Sequence, residues 1–276
     1  LLGSLMNLIS CMSAAVSLFI IMSTIQAEVV GSLKIALIRI SFEEEDFPGF
    51  TGSGDFLMSS ADICGEYIID PPPHDKNYFN SHLIAVNNYF NTVSHNAFGI
   101  NLDKSVIFPA SNASSYRLNR PMNYYNQLGM DDEHEKRITI LLKDAIEKAY
   151  EVDQIDFNNF DLIAVIHPGL GQDFKLPFLD PTPEDIPSTF VDRKMIEKYF
   201  DKPFIVGNSL IDKGIILPES QNHPLMDPSI FNSLSNPCDI QYSITGTWAL
   251  MIGFAVGLPP LWNIDTGESG IGIFGL

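Results

Sequence analysis

Six histidines, at positions 74, 82, 95, 134, 167 and 223, are the side chains best suited to moving protons or gripping a metal. No two of them stand in H-x-x-x-H or H-x-H spacing, so no single element presents the two-point imidazole grip of a zinc site. His167 is the one placed for chemistry. It falls where the apolar run "FDLIAVI" meets the glycine-rich "HPGLGQD", the kind of strand-to-loop junction at which open α/β sheets present ligand-binding groups. Asp173, Glu219 and His223 could join it in a carboxylate–imidazole pocket, a candidate hydrolytic site. A His before Pro-Gly can equally be a turn residue satisfied by backbone. His82, inside a periodic helix, and His134, in the charged first turn of another, read as surface or packing residues.

Other chemistries have weaker signatures. No G-x-S-x-G occurs and "GNSL" supplies no nucleophile elbow. Of the three cysteines, Cys11 lies in the apolar opening stretch. Cys64 and Cys238 are then a candidate disulfide in an oxidising compartment, the alternative being two independent buried thiols. "LDPTPEDIP" and "DTGES" offer oxygen ligands of the kind calcium takes, but neither has the D-x-D-x-D-G order. Calcium stays open, and no cofactor is assigned.

The chain carries 34 acidic and 16 basic residues, a net charge of −18, which argues against nucleic-acid or anionic-membrane partners. From Met6, "MNLISCMSAAVSLFIIMSTIQA" has a polar start, an apolar centre over Ala14 to Ile21, and a small residue, Ala27, before Glu28. That is secretory-signal grammar without the usual basic residue. A single anchoring helix is the alternative, but the centre is short of the ~20 residues a span needs. Residues 1–27 are therefore expected to be a signal and residues 28–276 one exported domain that continues past Leu276. Its expected location is secreted or extracytoplasmic. Its expected partner is an extracellular protein or cell-surface component, with no membrane insertion once the signal is removed.

The elements that must position these residues follow from periodicity. "LKIALIRISF" (33–42) and residues 160–166 read as interior strands, with "PFIVG" and "GIILPE" as further strands. Phe79, Leu83, Val86, Phe90 and Val93 recur at helical steps, which predicts a helix over 77–94. Ile138, Leu141, Leu142, Ala145 and Ala149 predict another over 131–150, and 192–200 a short third. "FGINLDKSVIFP" alternates like strands and "YRLNRPMNYYN" reads as an extended connection. Residues 168–187, with five prolines and two glycines, read as a long surface loop. The order gives a mixed α/β (α+β) domain, its mixed sheet backed by helices.

One stretch remains. "GTWALMIGFAVGLPPLW" (246–262) contains no charged side chain, and residues 248–258 give three turns of an all-apolar helix, the pattern of a buried one. Its sequel "GLPPLWNIDTGESGIGIFGL" resembles the immune inhibitor A family of secreted zinc metallopeptidases, in which a helix carrying H-E-x-G-H is followed by G-L-P-D-L-Y. "YFNSHLIAVNNYFNTVSHNAFGI", "RPMNYYN" and "FDLIAVIHPGLG" are similar to that family's backing helix, its Pro-x-x-Tyr-Tyr segment and its strand ending in His-x-Gly. The resemblance implies a zincin-like domain in which 246–262 holds the former active-site helix. Carried across through Gly-Leu-Pro, the zinc-ligand positions are Leu250, Phe254 and Pro260, and the general-base position is Met251. Zinc needs nitrogen, oxygen or thiolate donors and its bound water needs a base, and none of these four side chains supplies either. The expectation is a catalytically inactive, metallopeptidase-like binding or structural module, with zinc lost and Leu250 packed against Phe254 as an apolar pair. The alternative is a secreted hydrolase with its active site moved to His167.

Overall fold

The computed structural model describes residues 31–43, 49–59, 64, 67–130, 133–173, 182–226, 238 and 241–260. In chain order its elements are β1 (Gly31–Leu33), β2 (Ile35–Ser41), α1 (Lys76–Val93), β3 (Phe98–Ile100), β4 (Val106–Phe108) and β5 (Tyr116–Arg117). There follow α2 (His134–Asp153), β6 (Leu162–Leu170), β7 (Thr189–Val191), α3 (Arg193–Phe200), β8 (Phe204–Val206), β9 (Ser209–Ile211), β10 (Gly214–Ser220), α4 (His223–Met226) and α5 (Thr245–Ala255). The signal expected over residues 1–27 lies outside the described residues. No helix among the described residues is long and apolar enough to cross a membrane.

β2, β6 and β10 are buried along their whole length, so the sheet they build needs cover on both faces. β4, β2, β6 and β10 lie side by side in parallel, β7 closes one edge antiparallel to β10, and β5 pairs with the end of β2. Helices flank this sheet, giving a mixed α/β fold. Side chains alternate across a strand, so Ala36, Ile38 and Ile40 share a face with Ile163, Val165 and Ile216. These residues form one core with Ile138, Leu141, Leu142, Ala145 and Ala149 of α2. α1 and α5 pack on each other, α1 reaching β4 and α5 reaching β10 and β7.

Local chemistry sets the helix ends. Asp75 caps α1, its carboxylate accepting from the Asn77 and Tyr78 N–H groups at 2.8 and 3.1 Å. Its other oxygen accepts from Asn112 Nδ2. The carbonyl of Asn112, with those of Phe108, Pro109 and Ser111, accepts from the buried Arg39 guanidinium. Burial lowers the Arg39 pKa to about 10, against the pull of Asp75 and Tyr116, and the four carbonyls satisfy its donors. β2 is thereby clipped to the start of α1.

Three expectations shift. The region 168–187 begins as strand, because β6 runs through Pro168 to Leu170. Its pairing with β2 ends at Ile166, so a residue without an N–H is tolerated at position 168. "FGINLDKSVIFP" divides between two sheets, β3 pairing with β1 and β4 with β2. α5 starts at Thr245, before Trp248, and stops at Ala255.

Cys64 and Cys238 form a disulfide, Cα atoms 5.7 Å apart across 174 residues of chain. It is reinforced by Gln241, which accepts from the Ile69 N–H at 2.7 Å and donates to the carbonyls of Tyr67 and Cys238. The segment leading into α5 is tied by these contacts to the segment leading into α1. Replacing both cysteines by serine should lower stability by about 2–5 kcal/mol in urea titrations. A loss under about 1 kcal/mol would show that the bridge does not restrain this junction.

Candidate functional site

The C-terminal end of β10 carries a buried carboxylate, Glu219, that gathers three elements. It accepts from the Gly169 N–H at 2.6 Å, the Leu57 N–H at 2.8 Å and His74 Nδ1 at 2.6 Å, while His74 Nε2 lies 2.9 Å from the Asp70 carbonyl. Both side chains of the pair are essentially inaccessible. Burial alone would lower the His74 pKa, but the bond to Glu219 and the charges of Glu219 and Asp70 outweigh it and raise the value above 6.5. This pair stabilises the fold fully below pH 6.5, and its contribution fades as pH rises through the raised value.

A second polar cluster lies where α1 meets the start of α5. His82 Nδ1 is 2.9 Å from Thr245 Oγ1, and His82 Nε2 is 3.6 Å from Asp70 Oδ1. Ser243 Oγ lies 3.1 Å from both Asp70 Oδ1 and Thr245 Oγ1, and Asp70 Oδ2 accepts from the Ile244 N–H at 2.9 Å. Asp70 thus sits against the positive end of the α5 dipole. Burial lowers the His82 pKa, with Asp70 opposing and His74 reinforcing, so the imidazole is neutral.

Beside this cluster opens a cavity of about 430 Å³, walled by Leu250, Met251 and Tyr242 and edged by Ser243, Thr247 and Ser188. Leu250 and Phe254 are half-buried, whereas Trp248, Met251 and Ile252 are buried. α5 is therefore sealed on its sheet side and open at the Leu250 position. The two members of the expected Leu250–Phe254 pair are thus each partly exposed. Pro260 is exposed.

The glycines near these positions have structural work of their own. The Gly257 N–H donates to the Phe254 carbonyl and the Leu258 N–H to the Gly253 carbonyl, both at 2.9 Å, with Gly257 at φ +93°. These two bonds form a Schellman stop, which requires glycine after the cap. A Cβ on Gly253 would come within 3.3 Å of Leu258 Cδ1. Gly253, Gly257 and Leu258 are needed to end the helix whether or not a metal is present.

The four residues expected around His167 lie at the ends of β6 and β10: His167 in β6, Asp173 just after it, Glu219 in β10 and His223 in α4. His167 is fully buried in β6, its Nδ1 2.8 Å from the Pro168 carbonyl, and it pairs in register with Pro218. Alternation then points Glu219 to the opposite face, toward His74. Asp173 accepts from the Ser188 N–H and hydroxyl at 2.7 and 2.6 Å and from Gln221 Nε2. His223 is buried in α4. Of the calcium candidates, "DTGES" lies outside the described residues, Glu184 accepts from the Leu128 N–H, and Asp185 from the Thr51 N–H and hydroxyl. Among the described residues no group of three or more His, Cys, Asp or Glu side chains could hold a metal ion. His134 bonds Asn126 and His82 is buried, each within the expectation of a surface or packing residue.

Sequence reasoning missed His74 and the cluster of Asp70, Ser243 and Thr245. "DPPPHD" reads as punctuation, and nothing in its spacing points to Glu219, 145 residues away. No family profile matches the chain, and no curated protein matches it.

Two measurements check this geometry. Burial lowers the His167 pKa to about 4, only partly offset by the Pro168 and Ile186 backbone. Below pH 6.5 the unfolded chain takes up a proton at this position that the native chain refuses, so the contribution is complete above pH 6.5 and is lost as pH falls toward 4. The loss is on the order of 3 kcal/mol. The stability difference between wild type and His167→Gln should shrink by that amount from pH 7 to pH 4, and a constant difference would mean an exposed or protonated imidazole. Gly257→Ala, with no neighbour within 4 Å of the new Cβ, should cost about 1–2 kcal/mol through the left-handed backbone alone. An unchanged urea midpoint would contradict the helix stop.

Proposed function

We propose that this is an exported polypeptide-binding module with a zincin-like arrangement and no peptidase chemistry at its former ligand positions. The observation that carries the reading is the position of Leu250 and Met251, which wall an apolar cavity. Relatives implied by the resemblance would have a zinc ligand and a general base at these two places. Apolar side chains there can bind a hydrophobic group but cannot activate water. The support from the fold is that α5 lies against β10 and β7 and is backed by α1, as a zincin-like helix would be.

The cavity borders a strand that can accept a guest. Among the described residues β7 pairs with β10 alone, and Ser188 at its start edges the cavity. An extended segment could add to the other side of β7 through main-chain hydrogen bonds and place one apolar side chain against Leu250. A net charge of −18 disfavours acidic segments, so the expected partner is an apolar, neutral or basic stretch of an extracellular or cell-surface protein.

The reading is tested by fluorescence anisotropy with a labelled, reduced and alkylated apolar polypeptide, with cleavage followed in parallel. Binding should occur without cleavage, with or without added zinc. Leu250→Asp should weaken it at least about tenfold, which is 1.4 kcal/mol, with the melting temperature held. Equal binding by that variant, or proteolysis that a chelator stops, would overturn the proposal.

A further inference from the structure

We propose that Ser243, Thr245, His82 and Asp70 form a metal-free acyl-transfer centre at the start of α5, with neutral esters of short apolar acids as the substrate class. This goes beyond polypeptide binding and uses different residues from those that wall the cavity floor. The geometry supplies each part that the chemistry needs. Ser243 is exposed at the cavity edge; its hydroxyl donates to Asp70 Oδ1 at 3.1 Å and lies equally 3.1 Å from Thr245 Oγ1, to which it must turn for the relay, and Thr245 Oγ1 is linked in turn to His82 Nδ1 at 2.9 Å. Asp70 Oδ1 stands 3.6 Å from His82 Nε2, the side of the ring away from the hydroxyls. With Nε2 protonated and facing that carboxylate, Nδ1 is free to accept a proton.

Two backbone donors belong to residues of the cavity lining. The first bond across the start of α5 is from the Trp248 N–H to the Ile244 carbonyl at 3.0 Å, which leaves the N–H groups of Gly246 and Thr247 without an intrahelical acceptor. Both residues line the cavity, and a Cβ on Gly246 would meet nothing within 4 Å, so an acyl group can approach closely. Leu250, Met251 and Tyr242 offer the apolar wall for its chain. Ser243 is itself held by Asp70 and by the Thr245 N–H and hydroxyl.

The step balances within this set. Ser243 Oγ bonds to the ester carbonyl carbon as its proton passes to Thr245 Oγ1 and the Thr245 proton passes to His82 Nδ1. The tetrahedral oxyanion rests on the Gly246 and Thr247 N–H groups. When the carbon–alkoxy bond breaks, the relay runs backward and the alcohol leaves with the proton. Water, activated by the same relay, then splits the acyl-serine to the free acid. The arrangement has no G-x-S-x-G elbow because the nucleophile precedes its helix by the capping turn, not by a strand.

The test uses the intact, disulfide-bonded chain with p-nitrophenyl butyrate and, separately, a fluorophosphonate label mapped by mass spectrometry. The expected result is a burst of about one equivalent, insensitive to chelator, and a single label on Ser243. Ser243→Ala should abolish burst and label, and His82→Gln and Thr245→Val should slow hydrolysis at least about 100-fold at a temperature where circular dichroism shows each variant folded. His95→Gln, an exposed histidine, should change nothing. Absence of both burst and label in the wild-type chain, or a rate unaltered by His82→Gln, would overturn the proposal. Neither outcome alters the anisotropy assay, so failure here and failure of polypeptide binding are separable.

Discussion

The carboxylate of Glu219 is the point on which the site region depends. A buried anion is costly unless fully paired, and Glu219 meets that requirement by drawing in the Gly169 N–H from the end of β6, the Leu57 N–H from the loop after β2, and His74 from the approach to α1. Tyr78, in the first turn of α1, adds a bond to the Glu219 carbonyl at 2.8 Å and stacks on His74 with ring centres 4.2 Å apart. Removing either charge would leave the other buried without a counterpart. The start of α1 is therefore fixed to the sheet, and α1 in turn presents His82 to the first turn of α5.

α5 then divides along its length. Its C-terminal half is apolar, is stopped by Gly257, and contributes Leu250 and Met251 to the cavity. Its N-terminal turn is polar and is held by Asp70, Ser243 and His82. At its end, Leu258 approaches Gly253 closely, and Gly257 takes the left-handed backbone of the helix stop.

Periodicity disclosed the elements whose burial pattern is local. β2 and β6 are continuous branched runs, and α1 and α2 show apolar steps of three and four, so each was legible from a window of a few turns. The polar clusters were not, because their partners lie far apart in the chain. His82 and Thr245 are separated by 163 residues, and no spacing rule links them. The surroundings of His167 were hidden for a related reason. Adjacent strands brought His167 beside Pro218, but a neighbour in register leaves the next residue on the other face, which sends Glu219 to His74. For α5, composition announced an apolar helix and said nothing of whether the space beside Leu250 is filled.

Amide hydrogen exchange with and without an unfolded apolar polypeptide tests the central claim most directly, because it reads where the guest sits on the folded chain. Protection is expected along Thr189–Val191 of β7 and in the first two turns of α5, with the rest of the sheet unchanged. Protection elsewhere with these segments unaffected would contradict the assignment of the α5 cleft as the binding site.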